Sequence, residues 1–453
     1  MGLNMTWDDS TRANEFVPSL EEKFNYTERP MRGVNIGGWL ILEPYITPSF
    51  FSNYSLSEDI VDEYTLSAKL GENRTKEVLE THYSTFVTED TFAQIQAVGL
   101  DHVRIPYPYW VIDVLPGDTY LPKVAWRYLL RGIEWARKYG LRVKLDLHSV
   151  PGNANGWNHS GRQGAIGWLN GTNGEYYGNL TLDYHKQLAA FFAQDRYRNI
   201  VTLYGLVNEP NLNVLNKTLV VDWTKQAYDI VRAEGFENYI VYGDGFQGPT
   251  AWYDVFNTTE YSGLIVDMHQ YMVFDRALIA YTHAAKISYY CNDWATAMAV
   301  STNTALGHGL TMVGEWSQAD TDCVTYLNAV GIGARWTGTL NETDAADAIL
   351  TPLCPGGNCT CVPSTSDPDE YSDEYKVYLL MAAEAQMYAF ESNGGWGFMH
   401  WTWKTETGAA TQWSYERGVA AGVMPKLAYN RTFNCEAADI PTDFTVLGLP
   451  ENV

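Results

Sequence analysis

The sequence predicts an α/β fold: a single (β/α)8 TIM barrel with long loops at the C-terminal face of the strands. Three observations predict it. Eight short β-branched runs recur along the chain, amphipathic stretches of helical period lie between them, and 453 residues suit one barrel with generous loops. At 46% hydrophobic and 19% charged residues there is material for one large core, and disorder is excluded. A doubly wound dinucleotide fold lacks its glycine fingerprint: Gly331-Ile332-Gly333 has Trp336 where a third glycine belongs.

In chain order, the first run is residues 33–36, with Asn35 near its end. A helix over 88–98 leads to the run 103–105, which carries Arg104. A helix over 122–139 follows, with Pro122 suited to its first turn, and then the run 143–147, closed by His148. A helix over 182–193 precedes the run 201–207, which ends in Asn208-Glu209-Pro210. A helix over 221–234 connects to 239–242, and 264–269 ends in His269 with Tyr271 just beyond. Glu315 closes the run 311–314, a helix over 377–391 follows, and Trp401 closes the last run, 397–401. The acidic stretch 367–374 reads as a solvated loop before that last helix, lacking the glycine an EF-hand requires. Residues 1–30 are expected to be an extension packed on or flanking a catalytic domain of 31–453.

The net charge of −24, from 30 basic against 54 acidic residues, repels phosphate backbones and anionic membranes, so no nucleic-acid partner is expected. Aromatics at 14% suit a neutral, ring-shaped substrate. Twelve Asn-x-Ser/Thr triplets start at Asn4, Asn25, Asn53, Asn73, Asn158, Asn170, Asn179, Asn216, Asn257, Asn341, Asn358 and Asn430. Chance supplies roughly three or four, so the secretory pathway and N-glycans are expected, on a secreted or cell-surface protein acting as a monomer. The myristoylation-like start Met1-Gly2-Leu3-Asn4-Met5-Thr6 is read as coincidence, and the targeting or anchor segment as missing from this chain. The six cysteines fit no zinc template and are expected to form three disulfides, Cys291 with Cys435, Cys323 with Cys359 or Cys361, and Cys354 with the one left over.

In a barrel, chemistry sits at the C-terminal strand ends. Glu209 and Glu315 both follow apolar runs, on strands four and seven, and so flank the mouth from opposite sides. Two carboxyl groups around a sugar are what glycosidic hydrolysis needs: one protonates the leaving oxygen, the other attacks or activates water. Asn208 can hold the sugar 2-hydroxyl. Arg104 is expected to keep Glu315 ionised as the nucleophile, leaving Glu209, raised by its anionic neighbour and partial burial, as the acid. This chemistry needs no metal and no cofactor.

With these residues in hand, the chain resembles glycoside hydrolase family 5 of the clan A barrels, and within it the fungal exo-β-1,3-glucanases. The matching segments are Arg32-Gly-Val-Asn-Ile-Gly-Gly-Trp-Leu-Ile-Leu-Glu-Pro44, Val103-Arg-Ile-Pro106, Asp146-Leu-His-Ser-Val-Pro-Gly152 and Leu206-Val-Asn-Glu-Pro210. They continue through Met268-His-Gln-Tyr271, Gly314-Glu-Trp-Ser317, Thr321-Asp-Cys323 and Trp401-Thr-Trp-Lys-Thr-Glu406. The resemblance implies a retaining double displacement that releases glucose from non-reducing ends of β-1,3-glucan. It implies Glu209 as acid/base and Glu315 as nucleophile. Arg104, His148, Asn208, His269 and Tyr271 would line the −1 subsite, with Trp401 as its platform. It adds Glu43, which would grip hydroxyls of the terminal glucose, and Trp157 and Phe274 as an aromatic clamp at +1. The sequence departs from the family pattern at Pro108, in a slightly long segment 396–401, and at Asn158, where an acidic residue is usual. A glycan on Asn158 would sit beside the +1 region, or the sequon is unused. These departures touch the aglycone side and leave open a relative that cleaves rutinose or other β-glucosides. A wall-binding protein without catalysis is a third and weaker reading.

Overall fold

The computed structural model describes residues 6–342, 344–436 and 440–452. The Asn4 sequon and the first five residues of the myristoylation-like start lie outside them. Eight parallel strands close into a barrel in sequence order: β1 Met31–Asn35, β2 His102–Pro108, β3 Arg142–Ser149, β4 Val201–Gly205, β5 Tyr239–Gly243, β6 Leu264–Gln270, β7 Thr311–Trp316 and β8 Gly397–His400. Closure comes from β1 on β8, with Met31 opposite Gly397 and Val34 opposite His400. The expected fold class is therefore the observed one.

Strand ends differ from the sequence reading by up to three residues, because pairing with both neighbours, not local β-propensity, sets where a barrel strand stops. β3 runs on to Ser149 beside β2, whereas β4 stops at Gly205, short of 207. Helices cover the barrel, among them Glu89–Ala97, Val124–Lys138, Gly174–Phe192, Lys217–Ala233 and Asp373–Glu391. Pro122 is not in a first helical turn: Lys123 takes φ 65 and the helix starts at Val124. The left-handed residue breaks the path between the proline and the helix. Ser372 accepts from the Tyr375 N–H and so starts the last of these helices at Asp373, four residues before the place expected. Among the described residues no helix is long and apolar enough to cross a membrane.

The segment before β1 plugs the N-terminal end of the barrel. Tyr26 is buried; its hydroxyl lies 3.0 Å from His102 Nε2 and donates to Thr202 Oγ1 at 2.9 Å. Its ring stacks on Trp396 at 4.7 Å, and Phe24 packs beside it. Arg142, buried at the start of β3, donates to the Ser19 and Glu22 carbonyls at 2.8 and 3.0 Å. Asp9 pairs with Arg137. A glycine makes this seat possible. Gly140 has φ +69, and a Cβ there would stand 2.3 Å from the backbone of Arg12. Gly140→Ala is therefore expected to cost about 2 kcal/mol and to loosen the segment, read as a lower urea midpoint and faster proteolysis ahead of β1.

Three disulfides staple the C-terminal third: Cys291–Cys435, Cys323–Cys361 and Cys354–Cys359. Cys323 thus takes the second of its two open partners. The last two bonds brace the long β7-to-helix connection, which winds around Asp322. Its carboxylate accepts from the Arg335 and Trp336 N–H groups at 2.7 and 3.0 Å.

Candidate active site

Side chains alternate along a strand, so residues two apart share the barrel interior. On β3 that places Lys144, Asp146 and His148 in one inward row; on β6 it places Asp267 below His269. Arg104 enters from β2, Asn35 from β1 and Glu315 from β7. The interior is accordingly a layered polar network. Lys144 pairs with Asp267 at 2.8 Å near the middle, and above it lies Arg104, fully buried.

Arg104 organises the upper layer. Its Nη1 donates to Glu315 Oε1 at 2.5 Å and to Asn35 Oδ1 at 2.8 Å, and its Nη2 to Asn208 Oδ1 at 2.6 Å. Nη2 also lies 2.9 Å from Asp146 Oδ2. Asp146 in turn orients His148 through Nδ1 at 2.7 Å, and the His148 ring stacks 5.5 Å from Trp401. Glu315 Oε2 accepts from the Tyr271 hydroxyl at 2.9 Å. Glu209 sits at φ +45, a conformation that aims its side chain over the mouth at a cost in backbone strain. His269 Nδ1 donates to Glu209 Oε1 at 2.6 Å and lies 3.4 Å from Glu315 Oε2. One atom from each of Glu209, His269 and Glu315 lies within 4.8 Å of the others. That donor set is of a metal-binding type, but its geometry is that of an imidazolium shared by two carboxylates.

The electrostatics put the proton on the histidine. Burial opposes charge on His269, yet Glu315, Asp267 and Glu209 together hold its pKa up at about 10. Burial also pushes the Glu209 carboxyl up, but the His269 hydrogen bond and the nearby His159 overcome it and bring it to about 2. Glu315 is raised by burial and by Glu209, against the pull of His269 and Arg104. The proton affinities of the two carboxyls thus stand in the reverse of the expected order. The cause is His269, which the sequence presented as subsite wall and which donates directly into Glu209.

The remaining expected residues divide between floor and rim. Glu43 Oε2 is buried without a partner, and its carboxyl is raised well above its usual range by burial and then by Glu315 and Glu209. Asn208 Nδ2 is buried and unpartnered too. Trp157 and Phe274 are 42% and 40% exposed. They rise from different connections, Trp157 after β3 beside Phe246, Phe274 after β6 on Tyr271 and under Arg335. Asn158 is buried at 8% exposure, whereas the other ten described sequon asparagines are exposed. Sequence reasoning missed Asp267, whose signal was its spacing of two before His269. It missed Trp413, in ring contact with Tyr45, Tyr271 and Phe274, and His159, whose Nε2 lies 3.3 Å from Glu209 Oε2.

Buried titrating groups also set a stability profile. His82 and His159 fall to about 4, and His185 and His400 to about 3, each chiefly through burial. The unfolded chain therefore takes protons below about pH 6.5 that the folded chain refuses, and stability drops as pH falls. Glu63 works the other way. Burial raises it to about 8, so the folded chain keeps a proton that the unfolded one has released, and stability declines as pH climbs toward 8. The thermal midpoint is expected to peak near about pH 6–7, and Glu63→Gln to flatten the fall on the alkaline side.

Comparison with known proteins places this site in context. A family model described as Cellulase (glycosyl hydrolase family 5) matches residues 68–343. The "Probable glucan 1,3-beta-glucosidase D" of Aspergillus clavatus is 50% identical over 455 residues, covering 100% of this chain and 53% of that protein. The "Glucan 1,3-beta-glucosidase D" of Emericella nidulans is 49% identical over 442 residues, covering 98% of this chain and 52% of that protein. The chain thus spans about half the length of the curated relatives it matches. The crystal structure of rutinosidase from Aspergillus niger superposes with a TM-score of 0.66 at 19% identity, covering 89% of this chain and 99% of that one, and shares the fold.

Proposed function

We propose, given that the chain belongs to glycosyl hydrolase family 5, that it is a retaining exo-acting glucan 1,3-β-glucosidase releasing glucose from non-reducing ends. The observation that carries the retaining chemistry in this reading is the close approach of the two carboxylates, with oxygens within 4.8 Å of each other. Retaining enzymes hold this pair ~5 Å apart, whereas inverting ones leave room for a water at roughly 6.5–9.5 Å.

On this reading Glu315 attacks the anomeric carbon while Glu209 protonates the departing glycosidic oxygen. His269 Nδ1 and Glu209 Oε1 share a proton across 2.6 Å, and the pair delivers one proton to the leaving group through the Glu209 carboxyl. Water then displaces Glu315 from the glycosyl-enzyme, and Glu209 takes the proton back. Asn208 Nδ2 is free for the sugar 2-hydroxyl, and Glu43 Oε2 for hydroxyls of the terminal glucose. Arg104 and Tyr271 hold the nucleophile, His148 and Trp401 form the platform, and Trp157 and Phe274 clamp the +1 sugar. The names of the relatives support a β-1,3-glucan substrate. The disulfides and exposed sequons support a secreted or cell-surface glycoprotein.

Laminarin and rutin offered side by side test the substrate, with the first-formed anomer followed by NMR. Glucose released from laminarin initially as the β-anomer is the expected result; initial α-glucose, or turnover of rutin alone, would overturn it.

A further inference from the structure

Glu209 meets a second histidine that the mechanism above does not use. His159 lies in the short turn Asn158–Ser160 on the connection after β3, two residues from Trp157. That turn is pinned from below. Ser149 Oγ donates to the Ser160 carbonyl at 2.7 Å, Ser160 Oγ to Asn155 Oδ1 at 2.8 Å, and the Tyr64 N–H to the Gly161 carbonyl at 3.0 Å. The imidazole stands between the rings of His148 and Trp157, at 5.4 and 5.5 Å. Its Nδ1 is buried without a partner, and its Nε2 lies 3.3 Å from Glu209 Oε2.

The two oxygens of Glu209 are therefore held differently. Oε1 takes the short bond from His269 inside the barrel. Oε2 faces the aglycone side, where His159 and Trp157 stand. We propose that His159 is a positioning residue for the acid/base, its Nε2–H steadying Glu209 Oε2 toward the leaving-group oxygen and stabilising the carboxylate as the proton departs. This rests on Glu209 being the acid/base. At 3.3 Å the contact is longer than the 2.6 Å bond from His269, so His159 steadies Oε2 rather than holding it rigidly.

Charge supports the assignment. Burial holds His159 at about 4, so it is a neutral donor at working pH and competes with no carboxylate for a proton. The groups facing Glu209 are His269 from β6, His148 from β3, Glu315 from β7 and Glu43 beyond β1, with Arg104 and Asp267 behind them. His159 is the one titratable side chain among these that approaches from the aglycone side. A neutral donor favours the ionised form of Glu209. Removing it raises the proton affinity of Glu209 and also leaves the departing-proton state less stabilised.

The test compares wild type, His159→Ala and His159→Gln on laminaribiose, whose leaving group needs the proton, and on 2,4-dinitrophenyl β-glucoside, whose leaving group does not. His159→Ala is expected to lose ~10-fold in kcat/KM on laminaribiose and several-fold less on the dinitrophenyl substrate. Its alkaline limb should move up by roughly 0.5–1 pH unit. His159→Gln, which keeps a donor at the same reach, should recover most of both. Equal losses on the two substrates, or an unmoved alkaline limb, would overturn the proposal. Glu209→Gln in the same assay separates the two levels. If it leaves laminaribiose hydrolysis intact, the acid/base reading beneath the proposal fails; if it is inactive there while His159→Ala matches wild type, only the role of His159 fails.

Discussion

Glu315→Gln is expected to lower kcat on laminarin by ~10^4-fold or more while the protein stays folded. Glutamine keeps the volume and can still accept from Arg104 Nη1, now 2.5 Å from the carboxylate, so the barrel interior survives. On the proposed mechanism, what disappears is the charge that would attack the anomeric carbon. A loss this large also follows from the surroundings, since Arg104 Nη1 and the Tyr271 hydroxyl are both aimed at the Glu315 carboxylate and would no longer face a negative charge there. Glu315→Ala with azide and an activated glucoside gives a stereochemical check. The azide enters from the face the side chain vacated, so an α-glucosyl azide is expected; a β-product would reassign the nucleophile.

Arg104→Leu is the substitution expected to damage fold and function together. Four acceptors depend on this one guanidinium: Glu315, Asn35, Asn208 and Asp146, at 2.5, 2.8, 2.6 and 2.9 Å. Leucine fills most of the space but leaves two buried carboxylates and two amide oxygens without their donor. Breaking a buried charge pair from one side costs about 3–5 kcal/mol, which urea unfolding would read as a lower midpoint at unchanged slope. Activity should fall by ~10^2-fold or more, because Glu315 and Asn208 lose their common anchor. Arg104→Lys should fall between, since one ammonium cannot serve a planar fork of acceptors.

What the sequence disclosed and what it hid follow one physical distinction. Residues at the ends of β-branched runs were legible, because barrel geometry turns a position on a strand into a position in the site. Arg104, His148, Glu209, His269, Glu315 and Trp401 are all of this kind, and the structure brings them together. His159 was not legible: it sits eleven residues beyond the last inward position of its strand, His148, in a turn whose course is set by packing. The early start of the helix Gly174–Phe192 was hidden for a related reason. Gly178 reads as a helix breaker, yet a Cβ there would stand 2.4 Å from Leu169, and its carbonyl accepts from Trp223 Nε1 at 2.9 Å. Tertiary contact requires the bare residue in a helix where propensity argues against it. The proton order in the site was hidden too, since it depends on one 2.6 Å contact between residues sixty positions apart.

The seat of Tyr26 has a consequence for how the chain acquires its shape. Its ring lies on Trp396 and its hydroxyl on His102 and Thr202, so a segment ahead of β1 waits for the residue that leads into β8. During synthesis, Tyr26 finds His102 and Tyr239 first, but its stacking partner Trp396 only when the residues leading into β8 emerge. Contacts between such distant positions bring a large loss of chain freedom before they return any stability, which makes them slow. Closure and plugging thus form one late, concerted event. Until it happens, the aromatic face at the bottom of the barrel stays open to water and to other chains.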